Sequence, residues 1–179
     1  RAFEQNVLSH RKTHFMAVDG IHEAELTAPD FVRLKMNDVN NIEINSDFYY
    51  LNTGSPHYVK FVNEISSVDV FSEGRKIRYS QRFSNEGTNV NFVQDLGDTI
   101  YVRTYERGVE NETLSCGTGV VAAAISTHCR KKTGDGRHKI PIKTSGGNLA
   151  VSFNHRMGKY TDIWLEGPAV FVFEGNIII

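Results

Sequence analysis

From Gly119 to His128 the chain carries no Asp, Glu, Lys or Arg, and its Val-Val-Ala-Ala-Ala-Ile-Ser-Thr core is dominated by the strongest helix former. A surface helix needs a polar face, and this segment has none, so it has to be a helix buried on most sides. Lys131-Lys132-Thr133-Gly134-Asp135-Gly136 supplies the cations and glycine that close a helix C-terminus. Whatever else the chain forms must surround that helix.

The surroundings read as strands. Thr13–Val18 and Ile21–Thr27 flank Asp19-Gly20, a two-residue hairpin signal, and Phe31–Met36 alternates apolar with basic residues as a half-buried strand does. Further strand-like runs are Ile42–Ile44, Phe48–Asn52, Tyr58–Val62, Asn89–Gln94, Thr99–Tyr105, Lys139–Thr144, Leu149–Phe153, Ile163–Leu165 and Val170–Phe173. An irregular helix is expected between about Val68 and Phe83, weakened by Gly74. Many short strands with one apolar helix predict an α+β fold, a curled, mostly antiparallel sheet wrapped around a central helix.

At 179 residues the chain suits one domain or slightly more. Its 20 Lys+Arg against 21 Asp+Glu leave a net charge of −1, which argues against a nucleic-acid binder. The longest aliphatic run, Val120–Ile125, falls far short of the ~20 residues of a membrane span. Two cysteines, Cys116 and Cys129, make no disulfide framework, and with no leader-like opening a reducing, cytoplasmic location is expected. Arg1 stands where a Met would start a chain, and Arg1 to Leu8 reads like the last turns of a helix, so a preceding segment is expected.

The chemistry concentrates just before the buried helix, in Tyr105-Glu106-Arg107-Gly108 and onward through Ser115-Cys116-Gly117-Thr118-Gly119. A helix N-terminus presents unpaired N–H groups and partial positive charge, and Gly117 and Gly119 let a carboxylate or phosphate approach the backbone. The same field favours a thiolate, so Cys116 is expected to be more acidic than a free cysteine. On this pattern alone a glycine-rich turn holding an inert cysteine serves equally well. No Gly-Lys-Ser/Thr follows, so the segment is not a P-loop. Cys129 cannot share a reacting atom with Cys116, because at ~1.5 Å per residue one helix sets them about 20 Å apart. The His and Cys spacings around His128, Cys129 and His138 match no zinc pattern, and no metal is expected.

Glu106-Arg107-Gly108, Glu112-Thr113 and Cys116-Gly117-Thr118-Gly119 with the alanine-rich helix resemble the second cysteine motif of the diaminopimelate epimerase family. In the same order, Gly54-Ser55-Pro56-His57 resembles its Gly-Asn/Ser-Pro-His turn and Gly87-Thr88-Asn89-Val90-Asn91-Phe92 its asparagine-bearing strand. Gly146-Gly147-Asn148-Leu149 and Glu166-Gly167-Pro168-Ala169 resemble its closing hairpins. The resemblance implies an isomerase working without pyridoxal phosphate or metal, interconverting LL- and meso-diaminopimelate between two cysteines on opposite faces of the α-carbon. It also implies two similar lobes. Residues 1–40 would then be a remnant of the first, 41–167 the complete second, and 168–179 a strand crossing back, with an exposed apolar surface if the first lobe is missing. A homodimer is expected for the full-length protein.

Carried over residue by residue, Cys116 is the acid–base group, and Gly117 and Thr118 bind the carboxylate on the reacting carbon. Arg107 and Asn89 hold the distal end, and His57 and Glu106 tune the thiol, Glu106 also meeting the substrate. Ser55 stands where many relatives have Asn, so its contact is expected to be shorter or water-mediated. The family's Cys-Gly-Asn-Gly-type motif is absent, so this chain alone should not epimerise. Two other readings compete: a sibling racemase acting on proline or hydroxyproline, and a carboxylate-binding homologue that has lost catalysis. Arg107 and Asn89 favour a substrate with a second polar head.

Overall fold

The computed structural model describes residues 10–17 and 20–177. Their strands are β1 (Lys12–Ala17), β2 (Gly20–Ala28), β3 (Phe31–Lys35), β4 (Ile42–Ile44), β5 (Tyr49–Asn52) and β6 (Pro56–Phe61). Helix α1 (Val70–Arg78) precedes β7 (Asn89–Asp95), β8 (Ile100–Glu106) and β9 (Asn111–Thr113). Helix α2 (Gly117–Lys131) leads to β10 (Gly136–Thr144), β11 (Gly147–Arg156) and β12 (Lys159–Pro168). All the strands join one mixed sheet in the order β1-β2-β3-β12-β11-β10-β8-β7-β6-β5-β4, with β9 paired to β8 off that path.

Two neighbouring pairs, β6/β7 and β8/β10, run parallel, and every other pairing is antiparallel. Parallel neighbours cannot be joined by a tight turn and need a crossover. Helix α1 lies in the first crossover and α2 in the second. The fold is therefore α+β, as the element pattern predicts.

Helix α2 has a run of fully buried residues from Gly119 to His128 and contacts β5, β6, β7, β8, β10, β11 and β12. Val120, Val121, the three alanines and Ile125 pack with Leu51, Val59, Val93, Val102, Ile142, Val151, Phe153 and Ile163. A second core on the other side of β7 and β8 holds Ile65, Val70, Val90, Phe92 and Tyr105 beneath α1. Strand β7 is thus covered on both faces: Val90 and Phe92 point to α1, whereas Asn89, Asn91 and Val93 alternate toward α2.

Several boundaries differ from the sequence-based expectation. The irregular helix contracts to α1, capped by the Asp69 carboxylate on the Ser72 N–H, with 3-10 turns at Ile65–Ser67 and Gln81–Phe83. Gly74 lies mid-helix because a Cβ there would come within 2.4 Å of Tyr105 Cβ, so close docking onto β8 outweighs helix propensity. Strand β6 begins at Pro56, where a missing N–H costs no ladder bond. Strand β9 is too short and polar to give a periodic signal. Val170–Phe173 is not a strand, the last strand ending at Pro168. Ala17 pairs with Gly20 across the expected β1–β2 turn, but Asp19, the Arg1 to Leu8 helix end, Ile178 and Ile179 lie outside the described residues.

Past the last strand Val172 and Phe173 are 85 % and 83 % exposed, and on β1 and β2 Met16 and Ile21 are 73 % and 69 % exposed. Apolar area of this kind drives association, so the chain should self-associate in gel filtration with light scattering, and V172D/F173D should shift it toward monomer. A mass unchanged by that double variant would contradict this. Gly74→Ala should destabilise the chain by about 1–3 kcal/mol in urea unfolding, because overpacking against Tyr105 exceeds the gain in helix propensity.

Candidate active site at the N-terminus of the buried helix

The crossovers decide where the site lies. In a parallel crossover the helix runs against its strands, so α2 starts at the end of the sheet where β8 finishes. Strand β8 is antiparallel to β7, and β7 is parallel to β6 with His57 opposite Asn89. The same end therefore gathers the start of β6 (Ser55, His57), the start of β7 (Asn89), the end of β8 (Glu106, Arg107) and the start of α2 (Cys116, Gly117, Thr118).

Cys116 is the N-cap of α2, with extended dihedrals of φ −126° and ψ 114°. Its Sγ lies 3.6 Å from Thr118 Oγ1, and the residue is only 8 % exposed. Gly119 lets the helix close over this corner, since a Cβ there would sit 2.4 Å from Asn91 Oδ1 and 3.3 Å from the sulfur. Burial pushes the Cys116 thiol above its ordinary value, while the Thr118 hydroxyl and the Gly119 N–H pull it back and the Glu106 carboxylate adds to the rise. The expectation of an acidified thiol is thus corrected. The helix N-terminus is present, but in this state desolvation of the thiolate outweighs it.

Thr118 is the hub. Its hydroxyl lies 2.9 Å from His57 Nε2 and 3.1 Å from Ser55 Oγ, and its carbonyl accepts from Thr53 Oγ1 at 2.8 Å. Ser55 Oγ also lies 3.0 Å from His57 Nε2 and accepts from Asn89 Nδ2 at 3.1 Å, so Ser55 meets its neighbours directly. Asn89 Nδ2 donates as well to the Pro56 carbonyl, and Asn89 Oδ1 accepts the Arg107 backbone N–H. Both Asn89 donors are therefore engaged inside the protein rather than turned toward a ligand. The Arg107 guanidinium is half-buried and donates through Nη1 to the Glu86 carbonyl at 2.6 Å, and Glu106 is half-buried beside it at the end of β8. Gly117 opens the helix against Leu165.

His57 is fully buried, and burial, with the Arg107 guanidinium as a lesser cause, lowers its imidazole pKa from 6.5 to about 3. It acts on Thr118 as a neutral hydrogen-bonding group, not as a cation. Sequence reasoning missed two buried partners beneath it. Asn91 Nδ2 lies 3.1 Å from His57 Nδ1, and Thr104 Oγ1 donates to Asn91 Oδ1 at 2.9 Å. The available signal was spacing: Asn91 is two residues from Asn89, hence on the same face of one strand.

Cys129 lies in the last turn of α2, at the far end from Cys116, with its Sγ 3.0 Å from Tyr160 Oη. Among the described residues no group of three or more His, Cys, Asp or Glu is arranged to hold a metal ion. No helix among them is long and apolar enough to cross a membrane.

A model of the diaminopimelate epimerase family matches residues 49–172, which takes in this entire cluster. The chain belongs to the diaminopimelate epimerase family. It is 47 % identical to the diaminopimelate epimerase of Flavobacterium psychrophilum, over 93 % of this chain and 64 % of that protein. With the enzyme of the same name from Chlorobaculum tepidum it shares 39 % identity, over 92 % of this chain and 65 % of the relative. The chain thus spans just under two thirds of the length of these relatives. The fold is shared with a Bacillus anthracis protein of the PhzF phenazine-biosynthesis family, at TM-score 0.77 and 11 % identity over 99 % of this chain and 72 % of the other.

His57 carries a pH dependence of stability. Its folded pKa lies below its unfolded value, so between pH 6.5 and about 3 the unfolded chain binds more protons. The stabilisation from keeping it neutral is complete above pH 6.5 and is lost as pH falls, by up to ~1.4 kcal/mol per pH unit. Urea unfolding at pH 6.5 and pH 5 should show this slope, and His57→Gln should flatten it.

Proposed function

We propose that this chain is the part of a diaminopimelate epimerase that carries one of its two acid–base cysteines. The proposed reaction interconverts LL- and meso-diaminopimelate in lysine and peptidoglycan-precursor biosynthesis, without pyridoxal phosphate or metal. The observation that carries the reading is Cys116 Sγ at the N-terminus of a buried helix, one hydroxyl away from a neutral imidazole. Relatives named diaminopimelate epimerase at up to 47 % identity support the substrate.

The chemistry follows from that corner. The carboxylate on the reacting carbon sits against the Gly117 and Thr118 N–H groups, where the helix dipole favours negative charge. As the α-proton leaves, charge builds toward that carboxylate, and fixed N–H donors stabilise it more in the transition state than in the ground state. A thiol kept protonated by burial is suited to be the acid of the pair. It returns a proton to one face of the α-carbon after a cysteine outside this chain removes the other, and in reverse its thiolate is the base. Arg107 meets the distal carboxylate with its remaining donors, Asn89 braces the Arg107 backbone, and Glu106 borders both thiol and substrate. Each sulfur must come within ~3–3.5 Å of the carbon.

The same reading makes residues 41–167 one lobe whose curled sheet wraps α2. Residues 1–40 end another lobe and 168–179 return to it, in a cytoplasmic homodimer. Contacts of α2 with strands from β5 to β12 support the wrapping.

The test is deuterium entry from heavy water at the α-carbon of diaminopimelate, in the polypeptide that joins this chain to the remaining third of its relatives' length. Exchange should fall about 10²–10⁴-fold in Cys116→Ala. Full exchange in that variant would overturn the assignment.

A further inference from the structure

The polar groups between His57 and Cys116 can be counted hydrogen by hydrogen. Asn91 is fully buried, and its Nδ2 lies 3.2 Å from the Tyr58 carbonyl, which can only accept. Thr104 Oγ1 donates to the Oδ1 on the other side. These two partners fix the amide so that its second N–H points at His57 Nδ1, 3.1 Å away. Nδ1 must then accept, and since burial holds the ring neutral, its single hydrogen is on Nε2. Nε2–H donates to Thr118 Oγ1 at 2.9 Å. Ser55 Oγ receives Asn89 Nδ2–H, and in its 3.1 Å bond with Thr118 Oγ1 either hydroxyl can be the donor. When Ser55 is the donor, both lone pairs of the threonine oxygen are filled, and the direction left for the Thr118 hydrogen is Cys116 Sγ at 3.6 Å. With the opposite tautomer, Nε2 would be an acceptor and would draw that hydrogen away from the sulfur.

We infer that Asn91 is a positioning residue: by fixing the tautomer of His57 it aims the Thr118 hydroxyl at the Cys116 sulfur. Resting on the reading of Cys116 as the acid–base group, the inference adds a device that holds the thiolate, when it forms, with a directed donor. The charges that bear on this chain of bonds are the Glu106 carboxylate on the thiol and the Arg107 guanidinium on the imidazole, both at the end of β8. Neither is altered in the variants below.

Imidazole ¹⁵N NMR of the unmutated protein should give His57 as the Nε2–H tautomer, and an Nδ1–H tautomer would overturn the inference without any mutation. Peptide-resolved alkylation of Cys116 by iodoacetamide, followed against pH, should slow about tenfold below the thiol pKa in Thr118→Val and recover in Thr118→Ser. Tenfold is ~1.4 kcal/mol, the scale of one hydrogen bond to a charged sulfur. Asn91→Ala should slow the same reaction several-fold but have no further effect when added to Thr118→Val, as coupling through one path requires. Equal slowing in both backgrounds would mean a merely structural Asn91 and would overturn the inference, as would no slowing at all. If Asn91→Ala does not fold, the tautomer and the Thr118 pair decide. Failure of diaminopimelate exchange with the tautomer and coupling intact would remove the proposed function and leave this inference standing.

Discussion

The structure depends on hiding helix α2. Gly119 to His128 are buried, while Gly117 and Thr118 at its mouth are half-buried, and the N–H groups there still need partners. Here the cap position is a cysteine that makes no side-chain capping bond, and the first turn is Gly-Thr-Gly. A serine or aspartate would satisfy the helix end more fully.

Around that corner the polar groups form a supported stack rather than a scatter. Thr104 braces Asn91, Asn91 braces His57, His57 and Ser55 converge on Thr118, and Thr118 faces the sulfur. Buried polar networks cost free energy unless every member is satisfied. This one consists of short side chains on β6, β7, β8 and α2, with few rotamers to lose. It is a neutral network. The thiol is therefore kept protonated by desolvation and is ready to be stabilised as a thiolate by donors rather than by a positive charge.

Much of the fold was legible beforehand because the dominant signal was local. A charge-free alanine-rich run reads as a buried helix, and alternating runs flanked by glycine turns read as the strands of the mixed sheet it packs against. What was misread had non-local causes. Gly74 weakened the expected helix only because its reason, the Tyr105 side chain on β8, lies far along the sequence. Val170–Phe173 has strand composition, yet the last strand ends at Pro168, a limit that local composition does not mark. The acidity of Cys116 was misjudged because a helix dipole can be read from a motif, whereas the depth of burial opposing it cannot.

The candidate site divides the same way. Cys116, Gly117, Thr118, Glu106 and Arg107 stood out because glycines and charges cluster before an apolar helix, and Ser55, His57 and Asn89 followed from the resemblance. Asn91 and Thr104 carried no mark beyond alternation on a strand. By itself the sequence determined that a helix would be buried and that a thiol would stand at its mouth, since composition and period act over a few residues. Only the tertiary structure decided which end of the sheet that mouth faces and which side chains meet there. It also decided how strongly the thiol is desolvated. Those outcomes come from two crossovers and from packing between residues far apart in the chain.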